Sequence, residues 1–319
     1  MKIALVTPAG PGTRNGNRHT ALRWAAFLRA AGHRVTVAVE WPDARPADCM
    51  LALHAPRSHA SIKKFSGPLV LALTGTDVYR DIHESAEARE SLELADRLIV
   101  LQPKAAEELP ARLRKKVRVV VQSSSTRLRH EPIRSGFRVC VIGHLRAEKD
   151  PLRTLAALQH VSLPIEVIHL GVPLDPSLVP KTDDPRYRWL GSVPHARALK
   201  WLGSSHVMVI SSRMEGGANV VCEALRIGVP VIASRISGNI GLLEAGYAGY
   251  FPVEDERALA RLLTRAATDR EFYKSLKRQV LKLRAMVAPQ AEARALAAAM
   301  NLSGSRGPGS SAAARRRAP

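Results

Sequence analysis

The chain has 319 residues, enough for two domains of ordinary size, with an apolar share of 46%, an aromatic share of 4% and a formal net charge of +20. That charge raises nucleic acid as a partner. However, the basic residues are spread along the chain, apart from Arg315, Arg316 and Arg317, and no helix-turn-helix, zinc-finger or RNP-type pattern accompanies them, so no nucleic acid is expected.

In chain order, the opening MKIALVTPAG reads as a strand at 3–6 that breaks at its glycine, too early for a signal peptide. No apolar run approaches the roughly 20 residues that span a bilayer. The expectation is a cytoplasmic protein without stable membrane insertion. Three cysteines, Cys49, Cys140 and Cys222, have neither metal spacing nor even pairing, which fits a reducing compartment. After the first strand comes GPGTRNGNRHTALRW, glycine-rich, basic and opening a helix expected over 19–31, with Leu22, Ala25, Phe27 and Leu28 on one side. Such a loop suits a phosphate. A dinucleotide fingerprint would need a third glycine where Asn15 stands, although Glu40 could serve as its ribose acid. Capping by Asn17 or Thr20 is the plainer reading of the helix start.

Further short apolar runs at 35–39, 49–53, 69–73, 98–101 and 117–121 alternate with helical patterns. Strands separated by helices imply a parallel, doubly wound sheet whose loops at the strand C-termini form a ligand-binding edge. The third strand ends in LHAPRSHASIKKF, where His54, Arg57 and His59 cluster; their spacing does not favour a metal, and an anion of phosphate type suits His54 and Arg57 better. The fourth ends in LTGTDVYRDI, a tight polar turn.

A polar, proline-bearing stretch at 127–136 reads as a linker. The pattern then restarts, with strands at 138–142, 165–169, 188–190, 207–210 and 229–233, a helical stretch at 257–287 and a further helix at 290–300. The expected domains are 1–130 and 137–287, then a C-terminal helix at 288–302 and a disordered tail at 303–319, where Gly, Ser, Pro, Ala and Arg dominate. The fold class is α/β: two Rossmann-like doubly wound domains facing a central cleft.

The most informative segment is VMVISSRMEGGANVVCEAL, residues 207–225: a strand, a polar turn, Gly216 and Gly217, then an amphipathic helix. Glu215 and Glu223 flank seven residues, which puts one carboxylate at the mouth of the turn and the other about two helical turns deeper. Between them the helix start offers backbone N–H groups and the positive end of its dipole. The two glycines let a ligand approach the backbone. A carboxylate at each end of a phosphate-sized gap suits a nucleotide sugar, one for sugar hydroxyls and one for the ribose.

This arrangement resembles the E-x7-E motif of the retaining GT-B glycosyltransferases of the family 4-like group. The resemblance implies that Glu215 contacts the donor sugar and Glu223 holds the ribose hydroxyls, with Gly216, Gly217, Ala218, Asn219 and Val220 along the donor. It places Gly16 and Asn17 over the donor diphosphate, Val193 at the nucleobase and Gly238 at the phosphates. In VIGHLRAEKDP, His144 stands where relatives carry an arginine, Lys149 matches their lysine, and Arg146 is placed to supply the guanidinium. A cation there stabilises the leaving diphosphate, so neither cofactor nor metal is expected; the plainer reading of this loop is a helix cap by Asp150. On the acceptor side the resemblance implies Arg18, Thr20, His54, Arg57, Thr74, Gly75 and Thr76, with His19 and Asp77 among the catalytic candidates.

Within that family, the segments GNRHTALRWAAFL, LHAPRSH, LTGTDVYRDI and SRMEGGANVV are similar to the selenosugar synthases of selenoneine biosynthesis. This likeness implies a UDP-sugar donor, UDP-GlcNAc or UDP-glucose, and selenophosphate as acceptor. A related glycosyltransferase with a carbohydrate, thiol or lipid acceptor, and a non-catalytic nucleotide- or nucleic-acid-binding protein, are the alternatives. The sequence carries no signal of oligomeric state.

Overall fold

Every apolar run read from the sequence forms a strand, in a computed structural model that describes residues 1–13, 16–42 and 45–301. Asn15 and the tail 303–319 lie outside the described residues. The chain forms two units, the first Met1–Val121 with the segment from Glu292 onward, the second Gln122–Ala291.

The first unit runs β1 (Lys2–Val6), α1 (Gly16–Ala30), β2 (Arg34–Ala38), β3 (Cys49–Leu53), α2 (His59–Lys64), β4 (Leu69–Leu73), α3 (Ile82–Glu84), α4 (Ala86–Leu94), β5 (Arg97–Val100), α5 (Ala111–Arg114) and β6 (Val117–Val119). Its six strands pair in parallel in the order β2-β1-β3-β4-β5-β6. Alternate residues of each strand face opposite sides. On β1, Ile3 and Leu5 join the layer formed with α1, whereas Ala4 and Val6 join the layer formed with α2 and α4. The face α1 turns inward is Ala21, Trp24, Ala25 and Leu28; Leu22, expected on that face, is exposed.

The second unit runs β7 (Phe137–Ile142), α6 (Arg153–Leu158), β8 (Ile165–Leu170), β9 (Tyr187–Trp189), α7 (His195–Gly203), β10 (Val207–Ile210), α8 (Asn219–Ile227), β11 (Val231–Ser234), α9 (Ser237–Leu243), β12 (Tyr250–Phe251), α10 (Glu256–Thr268) and α11 (Arg270–Leu283). Its six strands are again parallel, in the order β12-β11-β10-β7-β8-β9. The chain starts at β7, winds outward through β8 and β9, then returns to the other side of β7 with β10. This is the dinucleotide-binding order, and its reversal point lies between β7 and β10. In such sheets ligands bind outside the strand C-termini at that point.

Two readings of the C-terminal half change. The stretch 257–287 is two helices, because Asp269 ends α10 and caps α11 by accepting from the N–H groups of Glu271 and Phe272. The last helix, α12 (Pro289–Met300), contributes Leu296, Ala299 and Met300 to the core layer of α1 in the first unit. Its buried Glu292 accepts from Trp24 Nε1 at 2.7 Å and from Arg23 Nε at 2.8 Å. Glu292→Gln keeps an oxygen for the indole and loses the charge facing Arg23, which should cost about 1.5–3 kcal/mol. Thermal unfolding should show a midpoint lower by roughly 3–12 °C; an unchanged midpoint would show that α12 contributes little to the first unit. Among the described residues, no helix is long and apolar enough to cross a membrane.

Candidate functional site

At the reversal point of the second sheet, the loops after β7 and β10 bring together two residues 66 positions apart. Lys149 Nζ donates to Glu215 Oε1, and the Ser212 hydroxyl donates to the same oxygen at 2.6 Å. Both partners are largely shielded, with side-chain exposures of 21% for Lys149 and 8% for Glu215. At that burial a carboxylate without its ammonium would be costly, so each holds the other.

Three local features fix the pair. Lys149 ends a short 3-10 turn (Ala147–Lys149), and Asp150 turns the chain in the left-handed region at φ 44°. The Ser211 hydroxyl donates to the carbonyls of Lys149 and Asp150 at 3.2 and 2.8 Å, tying this turn to the end of β10. Asp150 does not cap α6, which has no side-chain cap; its carboxylate takes Arg153 at 2.8 Å and lies 3.8 Å from Arg213. Beneath the pair is a cavity of about 20 Å³, bounded by Val141, His169, Val209 and Ile210 among others. Burial pushes the His169 imidazole down to about 4, so the floor of the site is uncharged.

Gly238 approaches the same loop from α9. A Cβ at this position would lie 2.0 Å from the Glu215 carbonyl oxygen, so only glycine lets the start of α9 close on the Glu215 turn. The role expected for it was a backbone donor to phosphate; the role visible in the fold is this close approach. Asn239 beside it is fully buried and donates to the Ser234 carbonyl at 2.9 Å.

Gly216 is buried and Gly217 half-buried, and Ala218 occupies the cap position of α8 without a side-chain cap. Asn219 and Val220 form the first turn, half-buried. Since α8 begins at Asn219, Glu223 sits one turn into the helix rather than two turns beyond Glu215. Its carboxylate meets His195 Nε2 at 2.7 Å. Val193 is half-buried and packs against the small cluster of Ile168, Leu170 and Ala198.

The two other residues expected near the diphosphate on this loop have partners of their own. Arg146 is exposed and lies 4.0 Å from Glu148. His144 Nδ1 accepts from the Val172 N–H at 3.3 Å, and its imidazole is engaged with the β8–β9 connection. Ser211, Ser212 and His195 escape the sequence reading. The serines carry a weak signal, being hydroxyls directly after an apolar strand; His195 carries none beyond its place at a helix start.

In the first unit, the C-terminal ends of β3 and β4 bring His54, Thr74, Gly75, Thr76 and Asp77 together. Asp77, expected among the catalytic groups, is completely buried, and its carboxylate accepts from the N–H groups of Thr74, Gly75 and Ala55 at 2.7 to 3.2 Å. It holds the two loops in place. His54 adopts φ 75° and is buried; its Nε2 lies 3.4 Å from the Thr76 hydroxyl and 3.8 Å from Asp81. Burial, above the opposing pull of Asp77, lowers its pKa from the ordinary value, so it is a neutral group at pH 7 rather than the expected cation. Arg57 is exposed. His59 turns away to α4, meeting Ser91 at 3.0 Å and Glu90 at 3.2 Å. On α1, Gly16 is exposed, Asn17 and Arg18 are half-buried, and His19 is exposed. Thr20 is buried and donates to the Gly16 carbonyl at 2.9 Å, within the first turn of the helix.

Residues 110–269, half of the chain, match the family model described as "Glycosyl transferases group 1". The chain belongs to this family. The match spans Lys149, Glu215 and Glu223. Solved structures agree at the level of fold. Sucrose-phosphate synthase from Thermosynechococcus elongatus superposes with a TM-score of 0.73 at 18% identity, over 93% of this chain and 97% of that one. Anabaena Alr3699/HepE in complex with UDP-glucose gives 0.73 at 15% identity, over 93% and 98%. The lipopolysaccharide outer core galactosyltransferase WaaB, apo form, gives 0.69 at 13% identity, over 94% and 99%. The fold is GT-B, built of two parallel α/β sheets. No match is found among curated proteins.

Proposed function

We propose that this group 1 glycosyltransferase moves a sugar of the GlcNAc or glucose type from its UDP-sugar to selenophosphate, in selenoneine biosynthesis. Selenium attacks the anomeric carbon as the bond from that carbon to the UDP oxygen breaks, and UDP leaves. Water then cleaves the selenium–phosphorus bond, releasing phosphate and the 1-selenosugar.

The observation that carries the donor half is the Lys149–Glu215 pair at the reversal point of β7 and β10, with Glu223 one turn into α8. An ammonium beside the departing diphosphate stabilises charge that grows toward the transition state. Glu215 orients the sugar, and Glu223 takes the ribose hydroxyls. That the fold neighbour Alr3699/HepE is seen with UDP-glucose supports a UDP-sugar as donor. The acceptor half rests on the likeness of the four segments to selenosugar synthases, and on the exposed Arg57 and half-buried Arg18 as cations suited to an anionic acceptor. No metal is needed for this chemistry, because Lys149, with Arg146 on the same loop, provides the positive charge.

The test is mass spectrometry of the products formed from selenophosphate and UDP-GlcNAc or UDP-glucose, with UDP release followed with and without EDTA. The expected result is a 1-selenosugar with equimolar UDP, nearly unaffected by the chelator. UDP release that requires a different acceptor would overturn the selenophosphate assignment. Activity lost to EDTA and restored by Mg²⁺ or Mn²⁺ would overturn the metal-independent one.

A further inference from the structure

Glu223 is held from one side. His195, the first residue of α7, places Nε2 2.7 Å from Glu223 Oε1. The second oxygen, Oε2, has no protein partner among the described residues. The His195 side chain is 60% exposed and the Glu223 side chain 16% exposed, so the imidazole covers a carboxylate that otherwise sits half-sunk in the helix surface. The backbone fixes where this imidazole starts: Pro194, at φ −56° and ψ 142°, occupies the cap position and delivers His195 onto the first turn of α7. Arg197 and Lys200 on α7, Arg226 on α8 and Arg138 on β7 are the other charged groups of the packed elements. The hydrogen bond to Glu223 raises the His195 pKa from its ordinary value, above the opposing effect of burial.

A glutamate at the surface of a helix samples several rotamers, and a ligand that needs one of them meets the cost of selecting it. A partner already seated on one carboxylate oxygen removes much of that cost while leaving the other oxygen for the ligand. We propose that His195 is a positioning residue for nucleotide recognition: it fixes the Glu223 carboxylate so that Oε2 is presented to the donor ribose. This rests on the assignment of Glu223 to the ribose made above. The bond is an ion pair when the imidazole is protonated, and the weaker bond of a neutral N–H to a carboxylate when it is not. Because Glu223 raises the His195 pKa, the strong form persists below that raised value and is lost as pH rises through it. Donor affinity therefore falls in the same direction.

Isothermal titration with UDP-glucose tests this, because neither of its phosphates changes charge between about pH 6 and about pH 8.5, the window in which a histidine titrates. The wild-type protein should bind about threefold to tenfold more weakly at the upper end. His195→Gln should bind with a flat pH profile, close to the wild type at high pH, since its amide still donates. His195→Ala should weaken UDP-glucose about tenfold at low pH. Against 2′,3′-dideoxy-UDP, at one fixed pH, both variants should match the wild type, because the hydroxyls that Glu223 would hold are missing. Melting temperatures should not change, given the exposure of the side chain.

Equal or tighter binding of UDP-glucose by His195→Ala would overturn the proposal, showing that the imidazole competes with the ribose. An equal loss on the dideoxy ligand would also overturn it, showing a general effect on the unit. A wild-type protein that binds no UDP ligand would instead bring down the donor assignment itself, and this inference with it.

Discussion

Lys149→Ala is expected to lower kcat by about a hundredfold to a thousandfold, with a smaller change in KM for the UDP-sugar. Two effects act together in this substitution. The first is the lost ammonium beside the leaving diphosphate, which matters more in the transition state than in the bound substrate. The second is the fate of Glu215, whose side chain is 8% exposed and whose Oε1 receives Lys149 and the Ser212 hydroxyl. Without Lys149 the carboxylate keeps one hydroxyl donor, and a shielded charge so poorly compensated takes up a proton or moves toward water. A double-mutant cycle with Glu215→Gln separates the two effects. If Lys149 acts mainly by holding Glu215, the double variant should be no slower than the slower single one. If it acts mainly on the diphosphate, Lys149→Ala should still cost about a hundredfold in the Glu215→Gln background. Full activity in Lys149→Ala would remove the lysine from the mechanism.

How far the sequence discloses this site depends on what kind of neighbour each residue has. The strands are legible because each is an unbroken apolar run, and their alternation with helices dictates parallel sheets. Strand β12, only Tyr250 and Phe251, is too short to leave such a run. The break at Asp269 is hidden because the helical period resumes at once in α11, and only the capping potential of the aspartate marks it. The destination of α12 is not written in its alanine-rich face, which could meet any apolar layer. It is settled by the bonds from Trp24 and Arg23 to Glu292, across 268 and 269 residues. The same holds within the site. Glu215 and Glu223 are legible as a local spacing, whereas the Lys149–Glu215 pair depends on β10 lying directly beside β7, a crossover that no local pattern encodes. Asp77 and His54, polar residues at strand ends, invite a ligand-facing assignment, which for Asp77 the family resemblance also implies. Burial gives both a structural setting that the spacing does not disclose: the carboxylate accepts from three backbone N–H groups, and the imidazole pKa is lowered.

Glu223→Gln and Glu215→Gln should fail in different ways, although both replace a carboxylate with its amide. Glu223 is one turn into α8 with His195 on Oε1, and a charged acceptor for ribose hydroxyls is worth about 1.5–3 kcal/mol. Its loss should therefore weaken UDP itself about tenfold to a hundredfold and raise KM for the sugar nucleotide by a similar factor. Glu215 lies before the helix, on the turn against which Gly238 closes, with Lys149 as its partner. Its amide would lose the ion pair and the orientation of the sugar, but nothing that touches the nucleoside. Glu215→Gln should thus lower kcat/KM by about a hundredfold while UDP affinity stays within about threefold of the wild type. Titrating UDP against both variants, beside steady-state kinetics with the full donor, distinguishes the two carboxylates. A loss of UDP binding in Glu215→Gln as large as that in Glu223→Gln would show that their roles are assigned wrongly. Full activity in both would mean that the two carboxylates of the motif do not serve the donor at all, and the Lys149–Glu215 pair would then be a structural tie between the β7 and β10 loops.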